Sequence, residues 1–175
     1  MVPCSGRKLA FALLLVAITS VFSRADTFKT LIIFDGANGA TPVDTQLVQG
    51  LDGNLYGTTL GGGANGAGTV LKMTPVGAVT VLYSFCSLPD CADGAEPYGG
   101  IVLASHGNFY GTTSQGGAAN GISGTVFKIT PTGKLTTLHS FDGTDGAGPN
   151  APLIQAANGA LYGLTENGGL SNSGT

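Results

Sequence analysis

The sequence predicts an all-β fold, a β-propeller-like run of tandem four-stranded antiparallel blades, and three observations predict it. A tyrosine-centred phrase, DGNLYGTT at residues 52–59, returns as HGNFYGTT at 106–113 and as NGALYGLT at 158–165. Glycine supplies 30 of 175 residues without a collagen triplet, which points to many tight turns. The chain is also 42% hydrophobic, so it has apolar matter to bury and does not read as a disordered linker.

The copies define a period. Tyr56, Tyr110 and Tyr162 are separated by 54 and 52 residues, and Phe34, Phe85 and Phe141 by 51 and 56. Recurrence at this spacing marks stacked copies of one supersecondary unit, and the length is near that of propeller-blade repeats. The expected organisation is a signal peptide at 1–25 and a repeat domain at 26–175, with repeats at about 31–81, 82–137 and 138–175, the last truncated.

The leader comes first. Arg7 and Lys8 form a short basic region, Leu9 to Thr19 an apolar core, and Ser23 and Ala25 are the small residues that a signal peptidase reads. Eleven or so apolar residues fall short of the roughly 20 that a spanning helix needs, so secretion or display at the cell surface is expected, with no membrane span after cleavage.

Each repeat then reads as four short strands. Leu47 to Leu51 is the first, and Asp52-Gly53 is a tight hairpin turn whose counterparts are His106-Gly107 and Asn158-Gly159. Asp-Gly and Asn-Gly favour a two-residue turn in which both residues take positive φ. NLYGTT is the second strand, followed by a glycine-rich loop. The third strand, GTVLKMT and later GTVFKIT, alternates so that Leu71 and Met73 share one face and Val70 and Lys72 the other.

A Thr-Pro-x-Gly turn reverses the chain into the fourth strand, VTVLYSF or LTTLHSF, because proline presets φ and glycine suits the last position. Period two puts Val79, Val81, Tyr83 and Phe85 on one face, matched by Leu135, Thr137, His139 and Phe141, which makes His139 structural. Thr27 to Phe34 aligns with a fourth strand. The count gives about two and a half to three repeats, an incomplete ring beside the about four to eight blades usual for propellers. A fragment, a truncated gene or a subunit closing by association would each account for that count.

Charge and chemistry narrow the function. Beyond the leader, four lysines face ten carboxylates, a net charge of −6, which leaves no basic stripe for nucleic acid. Cys86 and Cys91 are expected to form a small disulfide in an oxidising compartment. Gly61, Gly63 and Gly66 satisfy GxGxxG, but a strand follows where a nucleotide site needs a helix, so no cofactor is expected.

Asp35 with Asn38, and Asp142 with Asp145, place oxygen donors on glycine-bearing loops. They are weak calcium candidates, because the same residues simply make turns and the EF-hand spacing is absent. Tyr56, Tyr110 and Tyr162 are weak candidates for sugar platforms, with packing between repeats as the alternative. No nucleophile motif appears.

NLYGTT, the glycine-rich loop, GTVFKITPTGKLTTLHSF and the DG-x-x-P segment together resemble the GloVer tandem repeat of exported bacterial proteins, over essentially all of residues 27–175. That resemblance implies a propeller-like protein that is secreted or attached to the surface. It brings no catalytic residues with it, and no anchoring segment follows Thr175.

The expected function is therefore a non-catalytic binding or structural module for a carbohydrate or a surface protein. The alternative is a propeller-fold enzyme such as a glycosidase or polysaccharide lyase. In that case Asp52, Asp93 and Glu96 would converge on one concave mouth.

Overall fold

A computed structural model describes residues 28–43, 46–117 and 123–175; the expected leader lies outside them. The described chain contains β-strands and one short 3-10 turn, Pro89–Cys91, with no α-helix. No helix among the described residues is long and apolar enough to cross a membrane.

The first blade is an antiparallel meander of β1 (Val48–Gln49), β2 (Leu55–Thr59), β3 (Thr69–Met73) and β4 (Val79–Ser84), paired in chain order. The second repeats it with β5 (Ile101–Leu103), β6 (Phe109–Thr113), β7 (Thr125–Ile129) and β8 (Leu135–Ser140). A third, smaller sheet pairs β9 (Ile154–Gln155) with β10 (Leu161–Tyr162). The sheets do not close into a ring.

Register repeats with the sequence. Tyr56 faces Lys72 across β2 and β3, and Tyr110 faces Lys128 across β6 and β7. At the ends of these strands Thr59 and Thr69 join through their hydroxyls at 2.8 Å, as do Thr113 and Thr125 at 2.8 Å, and in the third repeat Thr165 and Thr175 join at 2.9 Å. Thr175 therefore meets Thr165 as Thr69 meets Thr59 and Thr125 meets Thr113.

Three local expectations differ from the structure. The Asp52-Gly53 hairpin is not a two-residue turn with positive φ throughout. Gly53 N–H donates to the Gly50 carbonyl and Gly50 N–H to the Asn54 carbonyl, and only Gly53, at φ +77°, is left-handed. This is a three-residue loop ending in a left-handed glycine. His106 fits the same loop because its position keeps an ordinary backbone.

The second difference is a bulge. Val70 pairs with Tyr83 but Leu71 pairs with Val81, so Leu82 is an extra residue; Leu138 is its counterpart in the second blade. Cross-strand partners share a face, so Tyr83 and Phe85 lie on the face opposite Val79 and Val81. Period two fails here because one inserted residue flips everything after it.

The third is the segment 28–34, expected as a strand, which has no ladder. It nevertheless takes a fourth strand's place, for the Leu31 carbonyl lies against Gly77 as the Leu82 carbonyl lies against Gly133. Among the described residues no strand pairs with it.

The core sits between the two blades. Tyr56, Val70 and Phe85 from the first meet Ile101, Phe109, Phe127 and Ile129 from the second. Tyr56 stacks on Phe109 with ring centroids 4.2 Å apart, and Phe85 meets Phe127 edge to face at 5.2 Å. Burying aromatic rings of this size against one another supplies most of what holds a repeat to its neighbour.

Candidate functional site

The residues singled out in the sequence are dispersed. The Tyr56 ring is wholly buried, and its hydroxyl donates to Asp52 at 2.8 Å, so no ligand can lie on its face. Tyr110 is half-buried, and Tyr162 is 54% exposed. Only Tyr162 of the three offers an open ring.

Asp52 lies beside the hairpin loop, where Lys72 bonds it at 2.8 Å. The Lys72 ammonium, and then Asn54 and Tyr56, hold its carboxyl well below the usual range, while Asp52 raises Lys72 in return. Burial first, and then Asp52, push the Tyr56 phenol up. The trio ties hairpin to strand and leaves no group free.

Asp93 is 1% exposed. One oxygen accepts from the Tyr83 hydroxyl and from the Ser87 N–H and hydroxyl, and the other accepts from the Leu88 N–H at 3.1 Å. Burial works to raise this carboxyl, but the hydrogen bonds outweigh it and the net shift is downward. The Cys86–Cys91 disulfide closes the same loop.

In the third repeat His139 Nε2 stands 2.7 Å from Asp145, in the place of the Tyr83–Asp93 bond. Asp142 Oδ1 accepts from Thr144 and Asp145, which lowers its pKa, the Thr144 hydroxyl contributing most. Asp35 and Asn38 accept each other's backbone N–H. These four weak calcium candidates thus spend oxygens on their own turns. Among the described residues no three His, Cys, Asp or Glu side chains come together as a metal group.

Asp52, Asp93 and Glu96 do not share a mouth. The first two are engaged on separate loops, while Glu96 lines a polar cleft of about 350 Å³ at the seam between the second and third repeats. Its floor is a doubled backbone motif. Ala95 and Gln115 exchange both backbone hydrogen bonds, as do Ala147 and Asn167, and the Glu96 and Gly148 carbonyls accept from Ser114 and Glu166.

Around this floor stand Glu96, Tyr98, Gln115, Asn150, Glu166 and Asn167. The Asn150 amide donates to the Glu166 carboxylate. The Glu96 carboxylate and the Gln115 and Asn167 amides have no protein partner among the described residues, and no cationic side chain lines the cleft. Such a surface repels anions and offers acceptors and donors to a hydroxylated or cationic ligand.

Apart from Glu96, this cleft was missed in the sequence, but a signal for it exists. In the first repeat the same backbone bonds place Thr41, Leu60 and Gly61 where the second repeat has Glu96, Ser114 and Gln115 and the third has Gly148, Glu166 and Asn167. The framework is constant while the side chains at two of the three positions change from apolar or absent to polar, Leu60 to Ser114 and Glu166 and Gly61 to Gln115 and Asn167.

Tandem four-stranded antiparallel blades with glycine-rich loops, one of them closed by a disulfide, define a repeat protein of the β-blade class. The chain belongs to the Gloeobacter/Verrucomicrobia repeat family, whose profile matches residues 17–175. A search of curated proteins finds no match.

Proposed function

We propose that this is an exported, non-catalytic binding module whose ligand, a neutral carbohydrate, sits in the cleft at the seam of the second and third repeats. The observation that carries this reading is the set of unpartnered groups there: the Glu96 carboxylate and the Gln115 and Asn167 amides. Carboxylates accept two hydroxyls at once, and amides serve as donor and acceptor. The leader pattern at 1–25 supports export.

Calorimetric titration with a panel of neutral oligosaccharides tests the ligand. Micromolar to millimolar binding is expected, and Gln115→Ala with Asn167→Ala should weaken it about tenfold, or about 1.4 kcal/mol. Absence of binding across the panel would sink the reading. Mass spectrometry of exported material, with an expected start at Asp26, tests the leader.

A second reading rests on two carboxylates, Glu96 and Glu166, lining one cleft, as a glycosidase pair would. Both are exposed, whereas a general acid of that kind is kept protonated by an apolar environment. Hydrolysis of the same oligosaccharides, lost in both Glu96→Gln and Glu166→Gln, would establish the enzyme instead.

A further inference from the structure

The hairpin loop before the second strand of a blade is built alike in the first two blades. Gly50 N–H donates to the Asn54 carbonyl and Gly53 N–H to the Gly50 carbonyl; Ala104 N–H and Gly107 N–H make the same bonds to the Asn108 and Ala104 carbonyls. Gly53 and Gly107 sit at φ +77° and +76°. In both blades the tyrosine that follows faces a lysine on the next strand, Tyr56 with Lys72 and Tyr110 with Lys128.

In the first blade the donors of this corner converge on the Asp52 carboxylate. Its Oδ2 accepts from the Lys72 ammonium at 2.8 Å, the Tyr56 hydroxyl at 2.8 Å and the Asn54 side-chain amide at 2.7 Å, and its Oδ1 accepts from the Asn54 N–H at 3.2 Å. The second blade keeps each donor, as Lys128, Tyr110 and Asn108, but carries His106 where the first has Asp52. The His106 Nδ1 lies 3.1 Å from the Ser105 hydroxyl. The Lys128 ammonium, the Tyr110 hydroxyl, and the side-chain amide and N–H of Asn108 have no partner among the described residues.

These groups are within a ligand's reach, since Lys128, Tyr110 and Asn108 are half-buried and His106 is exposed. All four belong to the second blade, whose strands pair in chain order, so what separates this corner from its counterpart is one side chain of the hairpin itself. Ammonium, phenol and amide donors strengthen when their acceptor is ionised, and the first blade shows that this backbone sets them around a carboxylate. Ten carboxylates against four lysines beyond the leader make the chain repel polyanions, which favours a singly charged ligand.

We propose that the second-blade hairpin binds the carboxylate of an external monocarboxylate ligand, held by Lys128, Tyr110 and Asn108 as Asp52 is held in the first blade. This site is separate from the cleft: β6 begins beside Asn108 and ends beside Ser114 and Gln115, so the two lie at opposite ends of one strand. It goes beyond the neutral-carbohydrate reading and uses none of the cleft residues.

NMR titration of the isotope-labelled chain with acetate and with glucuronate at low ionic strength, read at the Asn108 backbone and side-chain amides, tests it. Binding at about 1–10 mM is expected, weakening as salt is added, because exposed charge pairs are individually weak and screened. His106→Asp supplies the blade's own carboxylate and should weaken the response at least about tenfold. His106→Asn should keep it, since Asn158 takes the same place in the third repeat without adding a charge. Both substitutions are at an exposed position, and thermal unfolding checks that the variants fold. Glucose should leave Asn108 unmoved while acting at Gln115 and Asn167, which separates this result from that of the cleft. Asn108 amides that neither carboxylate moves, a His106→Asp variant that responds as the native chain does, a His106→Asn variant that does not respond, or inorganic phosphate that binds tighter than acetate would each overturn the proposal.

Discussion

Tyr56 and Phe109 stack 4.2 Å apart and inclined by 30°, although they belong to successive blades. The second strand of one blade therefore presents its tyrosine to the second strand of the next. Both rings are fully buried, and the Lys72 ammonium lies over the Tyr56 ring 5.6 Å from its centroid. The repeated phrase is a packing device between blades before it is anything else.

Phe109→Ala removes the ring that Tyr56 rests on and leaves a cavity that the neighbouring strands cannot fill. A loss of about 4 kcal/mol is expected in urea unfolding. Tyr162→Ala, at the same position as Tyr56 but exposed, should change stability by less than about 0.5 kcal/mol in dilute solution. Equal losses in the two variants would contradict this division of roles.

Asp93 makes an acid-dependent contribution. Its carboxyl is held below the ordinary 3.8, so the folded chain binds fewer protons than the unfolded one near that pH. Its stabilisation is complete above about pH 4 and is lost as pH falls through the folded value. Asp93→Ala strands the Ser87 and Leu88 N–H groups and the Tyr83 hydroxyl, and should cost about 3 kcal/mol at neutral pH. Unfolding measured from pH 7 to 2 should show the gap between native and variant narrowing only at the acid end.

Much of this fold was legible because its repeats agree with one another. The tyrosine phrase, the Thr-Pro-x-Gly turn and the GTV strand recur in order, so each copy checks the reading of the others. The bulge at Leu82 was hidden, because a bulged strand and a regular one carry the same apolar residues and differ only in which faces they reach. Segment 28–34 matched a fourth strand in sequence, but pairing depends on a neighbour, which sequence similarity does not supply. The cleft was illegible for a related reason. Its groups come from loops about 70 residues apart, and loop positions that vary between copies look like tolerated drift until the backbone motif beneath them is known.

Glycine is required at some repeated positions and only convenient at others. A Cβ on Gly124 would lie 2.1 Å from the Thr113 carbonyl oxygen, and the residue sits at φ +87°. Gly53, at +77°, has nothing within 4 Å. Gly124→Ala should therefore cost well over about 2 kcal/mol, because strain and backbone collision add, while Gly53→Ala should cost about 1 kcal/mol from the left-handed conformation alone. Thermal unfolding of the two variants distinguishes them directly.

Glu96 sets stability against binding. It holds φ 56° before a proline, a conformation that strains a residue with a Cβ, and Gly148 occupies the same place in the third repeat at 61°. Glu96→Gly removes a left-handed cost of about 1–2 kcal/mol and adds an unfolded-state entropy cost of about 0.5–1 kcal/mol, for a net gain of up to about 1.5 kcal/mol. The midpoint of thermal unfolding should rise by about 2–4 °C per kcal/mol gained. The same substitution removes an unpartnered carboxylate from the cleft, so oligosaccharide affinity should fall as stability rises. Gly148→Ala completes the comparison: a Cβ there meets only the Asn167 amide at 3.8 Å, so it fits, and the variant should lose about 1 kcal/mol to backbone strain. If Glu96→Gly lowered stability instead, the glutamate side chain would be holding the seam together rather than facing a ligand.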